Sequence, residues 1–420
     1  MLYYLFDALM RQGVPGMGAF TYISTRAALA FITSLLISTF IGSKIIDWLR
    51  SKQMSDAIRP LDIEGQMAKV GTPTMGGIII IIAIIIPTLL FNKLNNLYII
   101  LMMITTIALG VLGFADDYVK VFKKNKEGIH GRYKLIAQLG LGALVAIVLL
   151  TSPAVVIKEN ITTETIDKQL VVTHSNVETR STQTTIPFVK NNNLDYGDLA
   201  KVLGIDQNSE VFTILLVVLI FVFIVMAVSN SANLTDGLDG LAAGSSAIIG
   251  VALGILAYVS SHIEMASYLN IMFIPGAEEL VIFAATFIGA TVGFLWYNSY
   301  PAQVFMGDTG SLTLGGIIAV YAIIIRKELL LPILCGVFLV EALSVIIQTS
   351  YFKYTKKKTG TGRRVFKMSP LHHHFQKPAG VVDALFQSPR RPIAEAKITV
   401  RFWLVGILLA VLSIVTLKLR

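Results

Sequence analysis

Ten apolar segments, each 15 to 24 residues long, follow one another along this 420-residue chain. A helix that crosses a bilayer needs about 20 apolar residues, so the pattern predicts an all-α polytopic membrane protein with about ten transmembrane helices. The composition agrees, because 54% of the residues are hydrophobic and only 15% are charged, which excludes a soluble enzyme or a disordered chain. The segments are residues 24–46, 75–91, 97–115, 134–151, 211–229, 240–260, 279–297, 312–326, 329–352 and 399–418.

The basic residues are concentrated in three loops, 42–72, 116–134 and 353–398, which contain 22 of the 35 Lys and Arg residues. Because loops rich in Lys and Arg stay in the cytoplasm, the sequence predicts that these loops are cytoplasmic and that both termini are periplasmic. Topology therefore explains the net charge of +9, and we do not expect nucleic acid as a partner. The N-terminus lacks the pattern of a cleaved signal peptide, so the first segment is predicted to be an anchor.

One connection, residues 152–210, differs in composition from the rest of the chain. It contains eight acidic and five basic residues, and it includes a stretch rich in Thr, Ser and Val. The partial alternation at 171–177 is typical of short strands. We therefore expect a small β-rich periplasmic insertion within a single integral membrane domain that spans residues 1–420. The only cysteine, Cys335, lies in an apolar segment, so the chain cannot form an internal disulfide.

Carboxylates interrupt the apolar pattern on the predicted cytoplasmic side, and ionisable groups at such positions are usually functional. Asp116 and Asp117 lie where the third segment ends, and adjacent residues of a helix point about 100° apart. The pair therefore suits two different roles. Asp236 and Asp239 lie in the short connection between the fifth and sixth segments. Their i, i+3 spacing would place both side chains on one face of a helix if this connection were helical.

Three further features carry polar groups. Asp308 lies in a Gly-bounded turn before the eighth segment, where it can either cap the helix or hold Mg²⁺. A Gly-rich turn with Lys69 and Thr74 precedes the second segment, and His372 to His374 lie in the basic loop 353–398. Glu341 lies near the middle of the ninth segment and faces either the protein interior or a lipid groove.

Carboxylates and cations at one membrane face favour Mg²⁺-assisted phosphoryl chemistry, in which charge neutralisation supplies much of the acceleration. A transporter would place its polar residues nearer the middle of the bilayer, and only Glu341 clearly lies there. A transporter or lipid flippase stays open as the more distant alternative.

In their order along the chain, these motifs resemble those of the polyprenyl-phosphate N-acetylhexosamine-1-phosphate transferase superfamily. The motifs are residues 116–117, 233–240, 305–311 and 370–375, of which the Pro-Leu-His-His-His-Phe string at 370–375 is the most specific. The resemblance extends over nearly the whole chain and includes the ten-helix topology. The chain departs from compact members at 152–210, which is longer and lies away from the motifs.

Within the superfamily, the resemblance implies transfer of phospho-MurNAc-pentapeptide from UDP-MurNAc-pentapeptide to undecaprenyl phosphate. The products would be lipid I and UMP, in the first membrane step of peptidoglycan synthesis, at the cytoplasmic face of the bacterial inner membrane. The resemblance also implies Mg²⁺, a homodimer, and metal ligands at Asp308 and Asp117. A sister enzyme that uses UDP-GlcNAc is the closer alternative, which the unbroken histidine string disfavours.

The same resemblance assigns roles to single residues. It implies catalytic roles for Asp116, Asp117, Asp308 and His373, with Asp116 as the base for the lipid phosphate or as a nucleophile. A direct displacement is preferred, and a covalent route stays open. The nucleobase would lie among Lys69, Asp239 and Phe305. Further substrate contacts are expected from Thr74, Lys134, Asn233, Asp236, Asn298, His372 and His374.

Overall fold

The computed structural model describes residues 1–52, 69, 71–123, 125, 127–157, 160–164, 170–174, 182–188, 193–202, 210–269 and 271–418. Most of the predicted cytoplasmic loop 42–72 and the end of the strand-like stretch, 175–177, therefore lie outside the described residues. The helices are α1 (Leu2–Arg11), α2 (Ile23–Leu36), α3 (Gly42–Ser51), α4 (Gly77–Phe91), α5 (Leu97–Phe122), α6 (Gly131–Thr151), α7 (Tyr196–Val202), α8 (Glu210–Thr235), α9 (Leu241–Ser260), α10 (Ile263–Leu269), α11 (Glu278–Asn298), α12 (Gly307–Ile324), α13 (Leu331–Leu334), α14 (Gly336–Thr359), α15 (Leu371–Gln376) and α16 (Glu395–Val415).

Every apolar segment predicted from the sequence contains a helix. Among the described residues, nine helical spans are long and apolar enough to cross a membrane, and α4 is a shorter apolar helix of 15 residues. The first span runs from α2 through a π-helical turn at Ile37–Ile41 into α3. The all-α polytopic prediction is therefore confirmed.

Several helices extend further than the apolar pattern predicts. Helix α5 continues to Phe122, so Asp116 and Asp117 lie on the helix and not beyond its end. Helix α12 begins at Gly307, which places Asp308 in its first turn. The hydropathy pattern misses these turns because their polar side chains are bonded within the protein instead of facing lipid.

Helix α12 lies at the centre of the bundle, where every residue from Thr309 to Ile324 is buried. It packs against α4, α5, α8 and α9. Glycines allow this close packing: a Cβ on Gly77 would lie 2.1 Å from the backbone nitrogen of Gly310, and one on Gly113 would lie 2.2 Å from the carbonyl oxygen of Asp308. Small residues at such contacts let membrane helices approach closely, and here they bring the N-terminus of α12 against α5.

The insertion contains short strands, in agreement with the β-rich prediction. Strands β1 (Asn160–Glu164) and β2 (Leu170–His174) form an antiparallel pair, and β3 (Gln183–Thr185) pairs antiparallel with β4 (Asn193–Asp195). In the basic loop 353–398, β5 (Arg364–Phe366) and β6 (Ala384–Phe386) pair in parallel.

Polar bonds fasten the insertion to the turn that follows α12. The backbone N–H of Thr185 donates to the carbonyl of Arg326 at 3.1 Å, and Lys327 Nζ donates to the Thr185 hydroxyl at 2.8 Å. The Tyr196 hydroxyl donates to Glu328 Oε1 at 2.8 Å. The insertion therefore contacts the end of α12 that is opposite to Asp308.

Candidate active site

Asp117 caps the N-terminus of α12. Its carboxylate accepts the backbone N–H groups of Asp308 and Thr309, at 3.1 and 2.9 Å, and the Thr309 hydroxyl at 2.6 Å. Gly307 has a φ of 72°, and a Cβ there would lie 2.6 Å from Asp117 Oδ2. A glycine at 307 therefore supplies both the left-handed turn and the space that this cap needs.

Two lysines bridge Asp116 and Asp308. Lys134 Nζ lies 2.8 Å from Asp116 Oδ2 and 2.7 Å from Asp308 Oδ2, while Lys120 Nζ lies 2.7 Å from Asp116 Oδ2 and 3.1 Å from Asp308 Oδ1. Asp116 is fully buried and also accepts the backbone N–H of Ile129 at 2.7 Å. Both carboxylates therefore contact the same two ammonium groups.

Asp116, Asp117 and Asp308 each present an oxygen within 4.8 Å of the other two. Carboxylate oxygens are ligands of Mg²⁺, which proteins usually hold through one or two carboxylates together with water and substrate phosphates. Burial, followed by the charges of Asp308, Asp117 and Asp239, raises the pKa of Asp236 well above its ordinary range. A divalent cation would relieve this excess of negative charge, so the residues present fit a metal.

Asn233 and Asp236 lie beside the cluster, at the end of α8. Asn233 Nδ2 donates to Asp308 Oδ1 and to the Ser311 hydroxyl, both at 2.9 Å. Helix α8 ends at Thr235 and α9 begins at Leu241. Asp236 and Asp239 therefore lie in a turn and not on one face of a helix. Gly237 and Gly240 interrupt the helical pattern between α8 and α9.

A second cluster of charged side chains surrounds Lys69, and its members come from separate parts of the chain. Its ammonium lies 2.6 Å from Asp239 Oδ1 and 2.5 Å from Glu395 Oε1, and 5.8 Å from the centre of the Phe305 ring. Burial alone would lower the pKa of Lys69, but the two carboxylates raise it above its ordinary value. The structure thus brings together the three residues expected around the nucleobase, with Glu395 as an additional partner.

The histidine string forms the short helix α15. His372 is buried, its Nδ1 lies 3.1 Å from Glu341 Oε2, and its Nε2 faces Gly237, where an added Cβ would lie 2.2 Å away. His373 Nδ1 is bonded to Gln376 Oε1 at 2.8 Å, and burial lowers the pKa of His373 to about 4. His374 Nδ1 accepts the backbone N–H of Lys367 at 3.1 Å.

Glu341 is fully buried and faces the protein interior, which decides between the two orientations that the sequence left open. Asn298 is also buried, and its amide is used within the fold: Oδ1 accepts the N–H of Gly240 at 3.1 Å, and Nδ2 donates to the carbonyl of Val304 at 2.9 Å. Thr74 is buried beside Gly307, where an added Cβ would lie 3.1 Å from its hydroxyl.

Sequence reasoning missed two charged residues of the site. Lys120 lies four residues after Asp116 on α5, and that i, i+4 spacing is a signal that could have identified it. Glu395 pairs with Lys69 across 326 positions of sequence, so no local pattern points to it. Thr309 lies within the motif at 305–311 but is not among the predicted site residues, although its hydroxyl contacts Asp117.

Comparison with known proteins agrees with this arrangement. Residues 97–326 match the model of glycosyl transferase family 4. The chain is 66% identical to the phospho-N-acetylmuramoyl-pentapeptide-transferase of Parabacteroides distasonis, 63% to that of Porphyromonas gingivalis and 57% to that of Bacteroides fragilis. Each alignment covers 100% of both chains. The chain therefore belongs to the phospho-N-acetylmuramoyl-pentapeptide-transferase family and is a multi-pass membrane phosphotransferase.

Proposed function

We propose that this protein transfers phospho-MurNAc-pentapeptide from UDP-MurNAc-pentapeptide to undecaprenyl phosphate, releasing UMP and forming lipid I at the cytoplasmic face of the inner membrane. The observation that carries the proposal is the cluster of Asp116, Asp117 and Asp308 with Lys120 and Lys134 at the N-terminus of α12. This reaction brings two phosphate-bearing substrates together, so the site must neutralise their negative charge.

Asp308 and Asp117 would hold the Mg²⁺ ion. When bound, Mg²⁺ supplies charge neutralisation at the diphosphate of the donor. Asp117 contributes in a second way, because its bonds to the first turn of α12 fix the backbone of Asp308. Lys120 and Lys134 are the groups that can turn from the carboxylates to the phosphates when the substrates bind.

Lys69, Asp239 and Phe305 would form the nucleobase side of the donor site. The Phe305 ring offers a face for stacking, and Lys69 and Asp239 offer a donor and an acceptor. Glu395 holds Lys69 and Asp239 in place, since its Oε1 accepts hydrogen bonds from the Lys69 ammonium and, at 2.8 Å, from the backbone N–H of Asp239. Further substrate contacts would come from Asn233, which bonds to Asp308, and from Thr74, which lies beside Gly307. Asp236, in the same turn as Asp239, would contribute another.

Asp116 acts as the base that keeps the lipid phosphate ionised, and the phosphate oxygen attacks the donor directly. One Asp116 oxygen accepts an N–H and the other lies between two ammonium groups. As a nucleophile, Asp116 would have to bring an oxygen into line with the donor phosphorus while its Oδ1 stays bonded to Ile129. As a base, it needs only a hydrogen bond to the lipid phosphate, so we favour direct displacement over a covalent aspartyl intermediate.

The test is a comparison of donors. Purified protein with undecaprenyl phosphate and Mg²⁺ is given either UDP-MurNAc-pentapeptide or UDP-GlcNAc, and UMP is measured. We expect UMP from the muramyl donor alone. Release from UDP-GlcNAc alone would assign the protein to a sister reaction, and release from neither donor would support a transporter.

A further inference from the structure

A basic cavity of about 530 Å³ lies between the end of α14 and the loop that carries the histidines. Four cations contribute to its lining: Lys353 from α14, Arg364 from β5, and Lys367 and Lys377 from either side of α15. The remaining lining residues are uncharged: Gln348, Thr349, Phe352, Met368, Ser369 and Val382.

The positive charge of this cavity is not neutralised within the described part of the chain. None of the four cations forms an ion pair with a described carboxylate. Lys367 is buried and donates to the carbonyls of Lys377 and Pro389, at 2.5 and 2.8 Å. These bonds fix the position of an ammonium group without cancelling its charge, so the cavity has the character of an anion site.

The wall of the cavity is held firmly. Gln348 Oε1 accepts the N–H groups of Val365 and Phe366, both at 3.0 Å, and Gln348 Nε2 donates to the carbonyl of Phe366 at 3.2 Å. These bonds attach β5 to α14. Arg364 is thereby presented from a fixed strand, and Lys353 lies on the neighbouring helix.

The cavity lies within reach of the active site. Ser369 lines it, and three residues further along the chain His372 contacts the turn between Asp236 and Asp239. Three residues extend by at most about 11 Å, whereas an extended five-residue peptide spans up to about 17 Å. A peptide attached to a sugar beside the carboxylate cluster is therefore long enough to enter the cavity.

We propose that this basic cavity binds the free C-terminal carboxylate of the peptide carried by the nucleotide-sugar donor. The inference rests on the proposed function, which supplies a donor with such a peptide. A peptide joined through its amino end terminates in a carboxylate, and Arg and Lys are its natural partners. The cavity is thus a specificity site for the peptide and lies apart from the groups that act on phosphate.

The test measures KM and kcat for UMP release with two donors, UDP-MurNAc-pentapeptide and the same donor with a C-terminal carboxamide. The variants are Arg364→Gln and Lys377→Gln. Lys357→Gln is the matched control, because Lys357 is an exposed lysine of α14 that does not line the cavity. In the wild type and the control, we expect KM to be about tenfold higher for the carboxamide donor than for the carboxylate donor, because the carboxamide cannot form a charge-assisted hydrogen bond with the cavity. In the two variants, KM for the carboxylate donor should rise to that of the carboxamide, with kcat little changed.

Other outcomes overturn the proposal. If the wild type has the same KM for both donors, the carboxylate is not bound. If the variants raise KM for both donors equally, or raise KM for undecaprenyl phosphate instead, the cavity serves another anion such as a lipid headgroup. Failure of the proposed function gives a different result, because the wild type would then release no UMP from either donor.

Discussion

The Asp117 carboxylate accepts the backbone N–H of Asp308 at 3.1 Å, across 191 positions of sequence. Because the same carboxylate also accepts both donors of Thr309, it fixes the backbone of the first turn of α12, from which the Asp308 side chain projects. The positive end of the α12 dipole also favours negative charge here. Asp117 is therefore placed to organise the proposed metal site, of which we also propose it as a ligand.

Replacement of Thr309 by Val tests this organisation. The substitution removes the 2.6 Å bond to Asp117 but preserves shape, and we expect the Mg²⁺ concentration for half-maximal activity to rise about tenfold. Thr313→Val is the control, because among the described residues the Thr313 hydroxyl bonds only to the carbonyl of Thr309 in its own helix. An equal effect of both variants would contradict the role given to the Thr309 bond.

Replacement of Asp308 by Asn tests the metal ligand. The variant loses a charged oxygen and its attraction to Lys120 and Lys134, so we expect kcat to fall by about a hundredfold or more. Mg²⁺ titrations of UMP release measure both kcat and the metal requirement. Asp7→Asn, on α1, should leave both unchanged, because Arg11 is the one ion-pair partner of Asp7 in the described part of the chain. Near-normal activity with an unaltered Mg²⁺ requirement in Asp308→Asn would remove Asp308 from the metal site.

Direct displacement predicts that the donor is stable without its lipid acceptor. Because the lipid phosphate is the attacking group in direct displacement, we expect no UMP when enzyme and donor are mixed without undecaprenyl phosphate. Quenched-flow measurement of UMP at enzyme concentrations near that of the donor checks this. A rapid release of one UMP per active site would instead demonstrate the covalent route.

The sequence predicted the architecture and the main carboxylates because both depend on local patterns. The apolar segments are long enough to be recognised directly in the sequence. Asp116, Asp117 and Asp308 lie at the ends of such segments, and the structure brings these three carboxylates together. The residue-level roles stay predictions. Hydropathy could not predict the helix ends, because residues such as Asp117 and Thr309 are polar yet bonded inside the bundle.

Partners chosen by tertiary packing could not be predicted. The contact of Glu341 with His372 depends on how α15 folds back against α14, and Glu395 approaches Lys69 only because α16 packs on α9. Asn298 stays a predicted substrate contact, and in the structure its amide joins Gly240 and Val304. Its residue type alone does not distinguish these two uses.

Lys327 predicts a pH dependence of stability. Burial lowers the pKa of Lys327 from 10.5 to about 7, so between these values the unfolded chain binds more protons than the folded one. Stability should therefore rise from pH 7 to pH 10 and change little through this group below pH 7. Thermal unfolding in detergent measures the trend, and Lys327→Met should flatten it. A slope that persists in Lys327→Met would assign the dependence to other groups.

The proposed reaction is phosphoryl transfer from a nucleotide sugar to a lipid phosphate. To test it, UMP and the lipid-linked phosphosugar are followed in the same sample, with UDP-MurNAc-pentapeptide and undecaprenyl phosphate, in Mg²⁺ and after EDTA. Such a transfer gives equal amounts of the two products in Mg²⁺ and neither after EDTA. UMP without the lipid product, or both products formed at full rate in EDTA, would contradict it.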